Sequence, residues 1–296
     1  MTTEQLLQYL LSGITIGSIY AITAIGYNII YNATGIINFA QGEFLMIGAM
    51  TAISLSAFMP LPLAIVCAIV ITALVGALIE IIFIRPMKKP SVLQMIIVTI
   101  GLSILLREAA LHIWDEKVRA LPFFTGSEVS SLSLFGAHVS PQVIWVLAIS
   151  ALMVVLLNLF FKYSLTGKSI RACSADRASA KLCGIPVQRM ITLSFMLSAA
   201  IGAVGGCILS PITQTQYDCG TSLAIKGFAT AVLGGLGNST AAVTAGLLLG
   251  LLETFSIIVL PLAYKDAVSI ALLLIILFVR PSGLFGNADT GRLKEF

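Results

Sequence analysis

Leu61-Pro-Leu-Ala-Ile-Val-Cys-Ala-Ile-Val-Ile-Thr-Ala-Leu-Val-Gly-Ala-Leu-Ile-Glu-Ile-Ile-Phe-Ile84 carries one charged residue, Glu80, in 24 positions. At ~1.5 Å per residue a helix of this length reaches about 36 Å. That exceeds the roughly 30 Å hydrocarbon core of a bilayer. Similar runs recur at about 6–31, 35–58, 92–113, 141–161, 191–211, 240–260 and 266–280. A further apolar stretch, Leu223 to Gly237, is short and contains Gly227, Gly234, Gly235 and Gly237. The whole chain is 58% hydrophobic and 10% charged, with a mean hydropathy of +1.03. Soluble domains carry about 25% charged residues, so this chain lacks the polar surface to live in water. The expected fold is all-α: a polytopic transmembrane helix bundle of about eight to nine spans, with a discontinuous or short span near 223–237.

Orientation follows from the basic residues of short loops, which favour the cytoplasm. Arg85, Lys88 and Lys89 follow the third span. Lys162, Lys168, Arg171, Arg177, Lys181 and Arg189 fill the loop after the fifth. Arg280, Arg292 and Lys294 close the chain. These groups hold 12 of the 17 basic residues. They fall on one side only if the 223–237 stretch crosses the membrane. The expectation is nine crossings in a bacterial or archaeal inner membrane, with the N-terminus outside and the C-terminus cytoplasmic. No cleavable signal peptide is expected, because Met1–Gln5 has no positive charge and the first apolar run is too long. The net charge of +4 belongs to this inside bias. No basic stripe with interleaved aromatics marks a nucleic-acid surface.

Several chemistries are excluded. Five scattered cysteines and two histidines make no metal-binding spacing, so no metal is expected and the cysteines read as small apolar fillers. Thr166-Gly-Lys-Ser169 resembles the end of a phosphate-binding loop. The required first glycine would fall at Lys162, and no strand precedes it, so the chain is not expected to bind a nucleotide. No carboxylate cluster marks an ion-coupled secondary transporter, which stays only as a lesser alternative, and no Gly-x-Ser-x-Gly or buried catalytic pair marks an enzyme.

Three features remain. In Thr34-Gly-Ile-Ile-Asn-Phe-Ala-Gln-Gly-Glu43, the polar Asn38, Gln41 and Glu43 lie beside an apolar span, and Gly35 and Gly42 loosen it. Polar groups at membrane depth are expensive unless they face a cavity or partner. Asn38, Gln41, Gly42 and Glu43 are therefore candidates for a substrate pathway, the alternative being a simple interfacial turn. The second feature is the 162–190 loop. Ile170 to Leu182 suits one short helix, with Gly184 ending it and Pro186 beyond. Ile170, Cys173, Leu182 and Ile185 form its modest apolar side. It either docks on another protein or lies on anionic lipid. The third is a set of ionisable residues within spans: Glu80, Arg107, Glu108, Lys226 and Glu253. Lys226 and Glu253 read as a packing or interhelical pair, the alternative being a substrate contact, while Arg107 and Glu108 read as snorkelling at the outer end. Gly13/Gly17, Gly202/Gly206 and Gly246/Gly250 allow close helix approach, within the chain or between subunits.

Taken together, Gly13-x-x-x-Gly17-Ser-Ile-Tyr20-Ala-Ile, Gly26-Tyr-Asn-Ile-Ile-Tyr, Gly35-Ile-Ile-Asn-Phe-Ala-Gln-Gly-Glu43, Arg171-Ala-x-x-x-Asp176-x-x-x-Ala180-x-x-x-Gly184-Ile and Arg280-Pro-Ser-Gly-Leu-Phe-Gly286 resemble the LivH-type permease subunits of branched-chain amino acid ABC importers. One departure is Gln41, where many members carry His. The resemblance covers nearly the whole chain. It implies a single transmembrane permease domain over 1–296, with a coupling helix in the 162–190 loop. Arg171, Ser174, Asp176, Ala180 and Gly184 would form the ATPase-coupling segment. The implied partners are a second related permease subunit, two cytoplasmic ATPases, an extracytoplasmic substrate-binding protein and membrane lipid. No cofactor is implied for this chain, since ATP would be used by a partner. The implied cargo is a branched-chain amino acid, with other amino acids or urea and amides as alternatives.

Overall fold

A computed structural model describes residues 3–87, 91–126, 132–134, 137–259, 261, 264–280 and 283–284. Lys88, Lys89, Glu128, Arg292 and Lys294, and most of the 281–286 closing motif, lie outside the described residues. Among the described residues nine helices form the bundle: α1 (Thr3–Thr34), α2 (Gln41–Ser56), α3 (Leu61–Ile79), α4 (Val92–Trp114), α5 (Pro141–Tyr163), α8 (Val187–Thr213), α9 (Cys219–Gly234), α10 (Ser239–Val259) and α11 (Lys265–Val279). A π-helical turn, Glu80–Ile84, extends α3. Between α5 and α8 stand two short helices, α6 (Leu165–Ala175) and α7 (Arg177–Leu182). A small antiparallel hairpin, β1 (Leu132–Leu134) with β2 (Ala137–Val139), decorates the loop after α4.

Among the described residues six helices are long and apolar enough to cross a membrane: α1, α3 with its π turn, α4, α5, α8 and α10. The chain is a multi-pass membrane protein. α2 and α9 have 16 residues each and α11 has 15. At ~1.5 Å per residue, α2 and α9 reach only about 24 Å. Burial separates the helices into layers. In α1 and α8, 67% and 61% of the apolar window is buried, against 17% in α4 and in α5. The outer faces of α4 and α5 display Leu93, Ile97, Leu105, Leu152 and Leu156, as lipid-facing helices do.

Two expectations change. The second span does not begin at 35. Gly35 has φ +67°, Ile36–Ala40 are not helical, and the Asn38 side chain accepts from the Ala40 N–H at 3.1 Å. Helix α2 therefore starts at Gln41. The 223–237 stretch is short, as expected, but it is not interrupted. Gly227 faces Thr23 of α1 and Gly234 faces Ala241 and Ala242 of α10, with no room for a Cβ at either. These glycines admit neighbouring helices; Gly235 and Gly237, both at positive φ, end α9.

The glycine pairs pack within the chain. Gly17 and Gly250 meet backbone to backbone, and Gly13 abuts Leu251, so α1 and α10 cross on small residues. Gly202 and Gly206 of α8 receive Phe44 and Leu45 of α2. Close backbone contact of this kind substitutes for hydrophobic driving force where lipid is as apolar as leucine.

Candidate functional site

The polar stretch ending at Glu43 enters the bundle interior. Gln41 is fully buried. Its Nε2 donates to the Ser198 carbonyl at 3.3 Å, and its Oε1 lies 2.6 Å from the Ser198 hydroxyl. That hydroxyl is also 2.8 Å from the Gly26 carbonyl. A side chain on Gly26 would strike Gln41. Gln41 thus binds α2 to α1 and α8 with its amide satisfied. Asn38 is buried and forms the turn before α2, and its Nδ2 has no partner among the described residues. Gly42 lies against the Gly220 carbonyl, and Gly220 lies against the Gly42 carbonyl and the Glu43 carboxylate. Any Cβ at either position would separate the starts of α2 and α9.

Glu43, one residue further, is also wholly buried. Its Oε1 accepts from Ser103 of α4 at 2.8 Å and from Thr221 of α9 at a long 3.5 Å. Its Oε2 has no partner among the described residues. Thr221 in turn accepts from Arg107 Nη1 at 3.0 Å. Arg107, Thr221, Asp218, Gln214, Ser222 and Ile225 help to line a cleft of about 650 Å³. Small-molecule sites commonly measure roughly 300–1,000 Å³. Backbone pairing of Arg119 with Thr215, at 2.9 and 2.6 Å, ties the loop after α4 to the segment between α8 and α9. Gln214, at φ +57°, turns that segment over the cleft.

The structure therefore brings Gly42 and Glu43 together with Ser103, Arg107, Asp218 and Thr221. Arg107 corrects a sequence expectation. It does not snorkel but turns inward to Thr221, while Glu108 on the next face is exposed. Nothing in the chain order links Ser103, Asp218 and Thr221 to Glu43. A cation at Arg107 within an apolar span is a sequence signal that could point to them.

The other ionisable residues of the spans are met by partners. Glu80 pairs with Arg85 at 2.9 Å and accepts from Gln188 and Thr192 at 2.8 Å each. This ties the π turn to the base of α8. Glu253 pairs with Lys226 at 2.8 Å and Lys265 at 3.4 Å, and accepts from Ser269 at 3.1 Å. Lys226 also reaches Asp266 at 2.7 Å. The expected interhelical pair is present and joins α9, α10 and α11.

The 162–190 loop folds as two helices, not as the single helix expected over 170–182. Asp176 adopts an extended backbone, φ −158° and ψ 117°, and breaks the run. Its carboxylate accepts from the Ala178 and Ser179 N–H groups at 2.9 and 3.3 Å, capping α7. Ser164 caps α6 by accepting from Gly167 N–H at 3.1 Å. α7 ends with Gly184 at φ +79°. There Gly184 N–H donates to Lys181 and Ile185 N–H donates to Ala180, both at 3.0 Å. Those two bonds are the Schellman pattern, so Gly184 has its expected place.

Ile170, Cys173 and Ala180 are buried against Ala33 and Met190, with Ile185 partly buried there. Leu182, expected on that side, is 89% exposed instead. The break at Asp176 rotates α7 relative to α6, so the apolar positions of one continuous helix no longer coincide. Arg171, Ser174, Asp176 and Gly184 are exposed, whereas Ala180 packs inside. Burial pushes the Cys173 thiol above its ordinary range, with Arg177 pulling the other way.

The family profile described as branched-chain amino acid transport system / permease component matches residues 9–277. The chain is 37% identical to the high-affinity branched-chain amino acid transport system permease protein BraD of Pseudomonas aeruginosa, over 97% of this chain and 98% of that protein. It is 36% identical to the LivH permease protein of the same description from Escherichia coli K12, over 97% of each. It is 26% identical to a probable branched-chain amino acid transport permease protein LivH of Methanocaldococcus jannaschii, over 94% of this chain and 91% of that one.

Proposed function

The chain belongs to the family of permease components of branched-chain amino acid transport systems, and from that premise we propose that it is the membrane subunit of an ABC importer for branched-chain amino acids. In this reading residues 1–296 are one transmembrane permease domain. The N-terminus faces outward and the 162–190 segment and C-terminus face the cytoplasm. A second related permease completes the pathway, two ATPases bind the cytoplasmic face, and an extracytoplasmic binding protein delivers cargo. This chain uses no cofactor; ATP is hydrolysed by the partners.

The observation that carries the reading is the α6–α7 hairpin. It is rigidly made, with a capped start to each helix and a hydrogen-bonded stop at Gly184. One side is anchored through Ile170, Cys173 and Ala180 to the end of α1 and the base of α8. The other side presents Arg171, Ser174, Asp176, Lys181 and Leu182. A stiff polar hairpin fixed to the central helices transmits a push from a partner into the bundle. Arg171, Ser174, Asp176 and Gly184 shape that docking side, and Ala180 fastens it from within. Asn38 and Gln41 hold the start of α2 in place, Gly42 lets α9 approach, and Glu43 faces the substrate pathway.

Charge reversal on the exposed side tests the docking. Leu182→Asp and Lys181→Glu are expected to lower co-purification of the ATPases and substrate-stimulated ATP hydrolysis at least fivefold. The thermal midpoint of the isolated permease stays unchanged. Undiminished hydrolysis in both variants rules the docking role out.

A further inference from the structure

Charged side chains within the spans divide by whether another group of the chain meets them. Glu80, Lys226 and Glu253 are all ion-paired. The groups around the cleft are not. Arg107 donates to the Thr221 hydroxyl and makes no ion pair among the described residues. Among the described residues Glu43 keeps one carboxylate oxygen buried and unpartnered, and Asp218 does the same. An uncompensated charge at membrane depth is costly. Here Arg107 and Asp218 line one cleft, with Glu43 buried behind Thr221, and the three do not close on one another.

A ligand that carries both charges would complete them. A guanidinium matches a carboxylate with parallel donors, and an ammonium supplies three donors to surrounding oxygens. A neutral amide or urea would bring no counter-charge to Arg107 or Asp218 in the cleft. On the premise that the chain is an amino acid importer, we infer that the cleft binds the main-chain zwitterion of a free α-amino acid. The carboxylate sits on Arg107 and the ammonium on Asp218, both of which line the cleft. The side chain lies toward the exposed apolar residues Val118 and Ile225, which also line the cleft. This permease site reads the charged ends common to amino acids and leaves discrimination among apolar side chains elsewhere.

The test uses the assembled transporter with its ATPases and binding protein in proteoliposomes. Radiolabelled leucine uptake and ATP hydrolysis are measured in the same vesicles. Arg107→Gln is expected to lower leucine imported per ATP at least tenfold, with hydrolysis within twofold of wild type. Arg107→Lys restores at least half of the import. A merely structural Arg107 would depress hydrolysis together with uptake. Unchanged leucine per ATP in Arg107→Gln overturns the inference.

A second measurement leaves Arg107 intact. Ser222→Cys in a Cys219→Ala background places one thiol on the cleft wall for a membrane-impermeant maleimide. Leucine is expected to slow labelling at least threefold, while neutral 4-methylpentanamide does not. Equal protection by the amide, or none by leucine, overturns the site. Should the wild-type transporter import urea or amides but not leucine, the importer reading itself fails, and the labelling result separates the two.

Discussion

Replacing Asp176 by Ala isolates the joint between α6 and α7. The carboxylate accepts two N–H groups of the first turn of α7, at 2.9 and 3.3 Å, and the Ser179 hydroxyl as well. Loss of such a cap costs about 1 kcal/mol, within a range of about 0.5–2. Loss of a negative charge at a helix start adds about 0.3–1 kcal/mol. The sum, about 1–2 kcal/mol, corresponds to a ~5–30-fold rise in the open fraction. α7 has only six residues, and so short a helix does not sustain itself without its ends.

Hydrogen exchange of the permease in nanodiscs should therefore quicken about 5–30-fold over 177–182, while α1 and α8 keep their protection. Asp176→Asn keeps the acceptor and loses only the charge, so it should quicken exchange by less. The reasoning is refuted if Asp176→Ala leaves 177–182 within twofold of wild type. It is refuted equally if exchange rises across the whole bundle, since the cap would then serve the global fold.

Other substitutions test the packing. Gly42→Val should abolish the folded permease, because Gly220 occupies the space a side chain needs, whereas Gly101→Ala should leave the melting temperature unchanged or raised, since nothing lies within 4 Å of it; thermal melts in detergent compare them. Lys226→Met removes the nearer cation from buried Glu253. Breaking such a pair costs about 3–5 kcal/mol, and Lys265 at 3.4 Å recovers part of it, so the melt should fall clearly but less than for Lys226→Met combined with Lys265→Met. Cysteine alkylation should follow exposure. Between pH 7 and 9 Cys183, which is exposed, is labelled in the folded protein. Cys173, buried and with its thiol held high, stays unlabelled across that range until the protein is unfolded.

Much of the bundle is legible in the sequence because lipid imposes one rule along the whole chain. Runs such as 61–84 and 92–113 need only hydropathy, and the structure places helices there within a few residues. Lys226 and Glu253 are legible as a pair because so few charges lie at depth. What stays hidden depends on what lies across from a residue. The anchoring of Gln41 depends on Gly26 of α1 and Ser198 of α8, which make room for and bond its side chain. The break at Asp176 was readable in principle, since an Asp two residues ahead of bonded N–H groups is a helix-start signal. The alanine-rich run around it argued more strongly for one continuous helix. Arg107 looked like an interfacial cation by its position alone. Its inward turn toward Thr221 depends on the fold of a segment more than a hundred residues later.

Leucine uptake into proteoliposomes, with and without the ATPase partners, bears most directly on the claim that this permease is a driven subunit. The account predicts uptake only when the second permease, both ATPases, binding protein and ATP are all present, and no uptake by this chain alone under an imposed proton or sodium gradient. Gradient-driven uptake by the chain alone, or undiminished uptake without ATP, would contradict it.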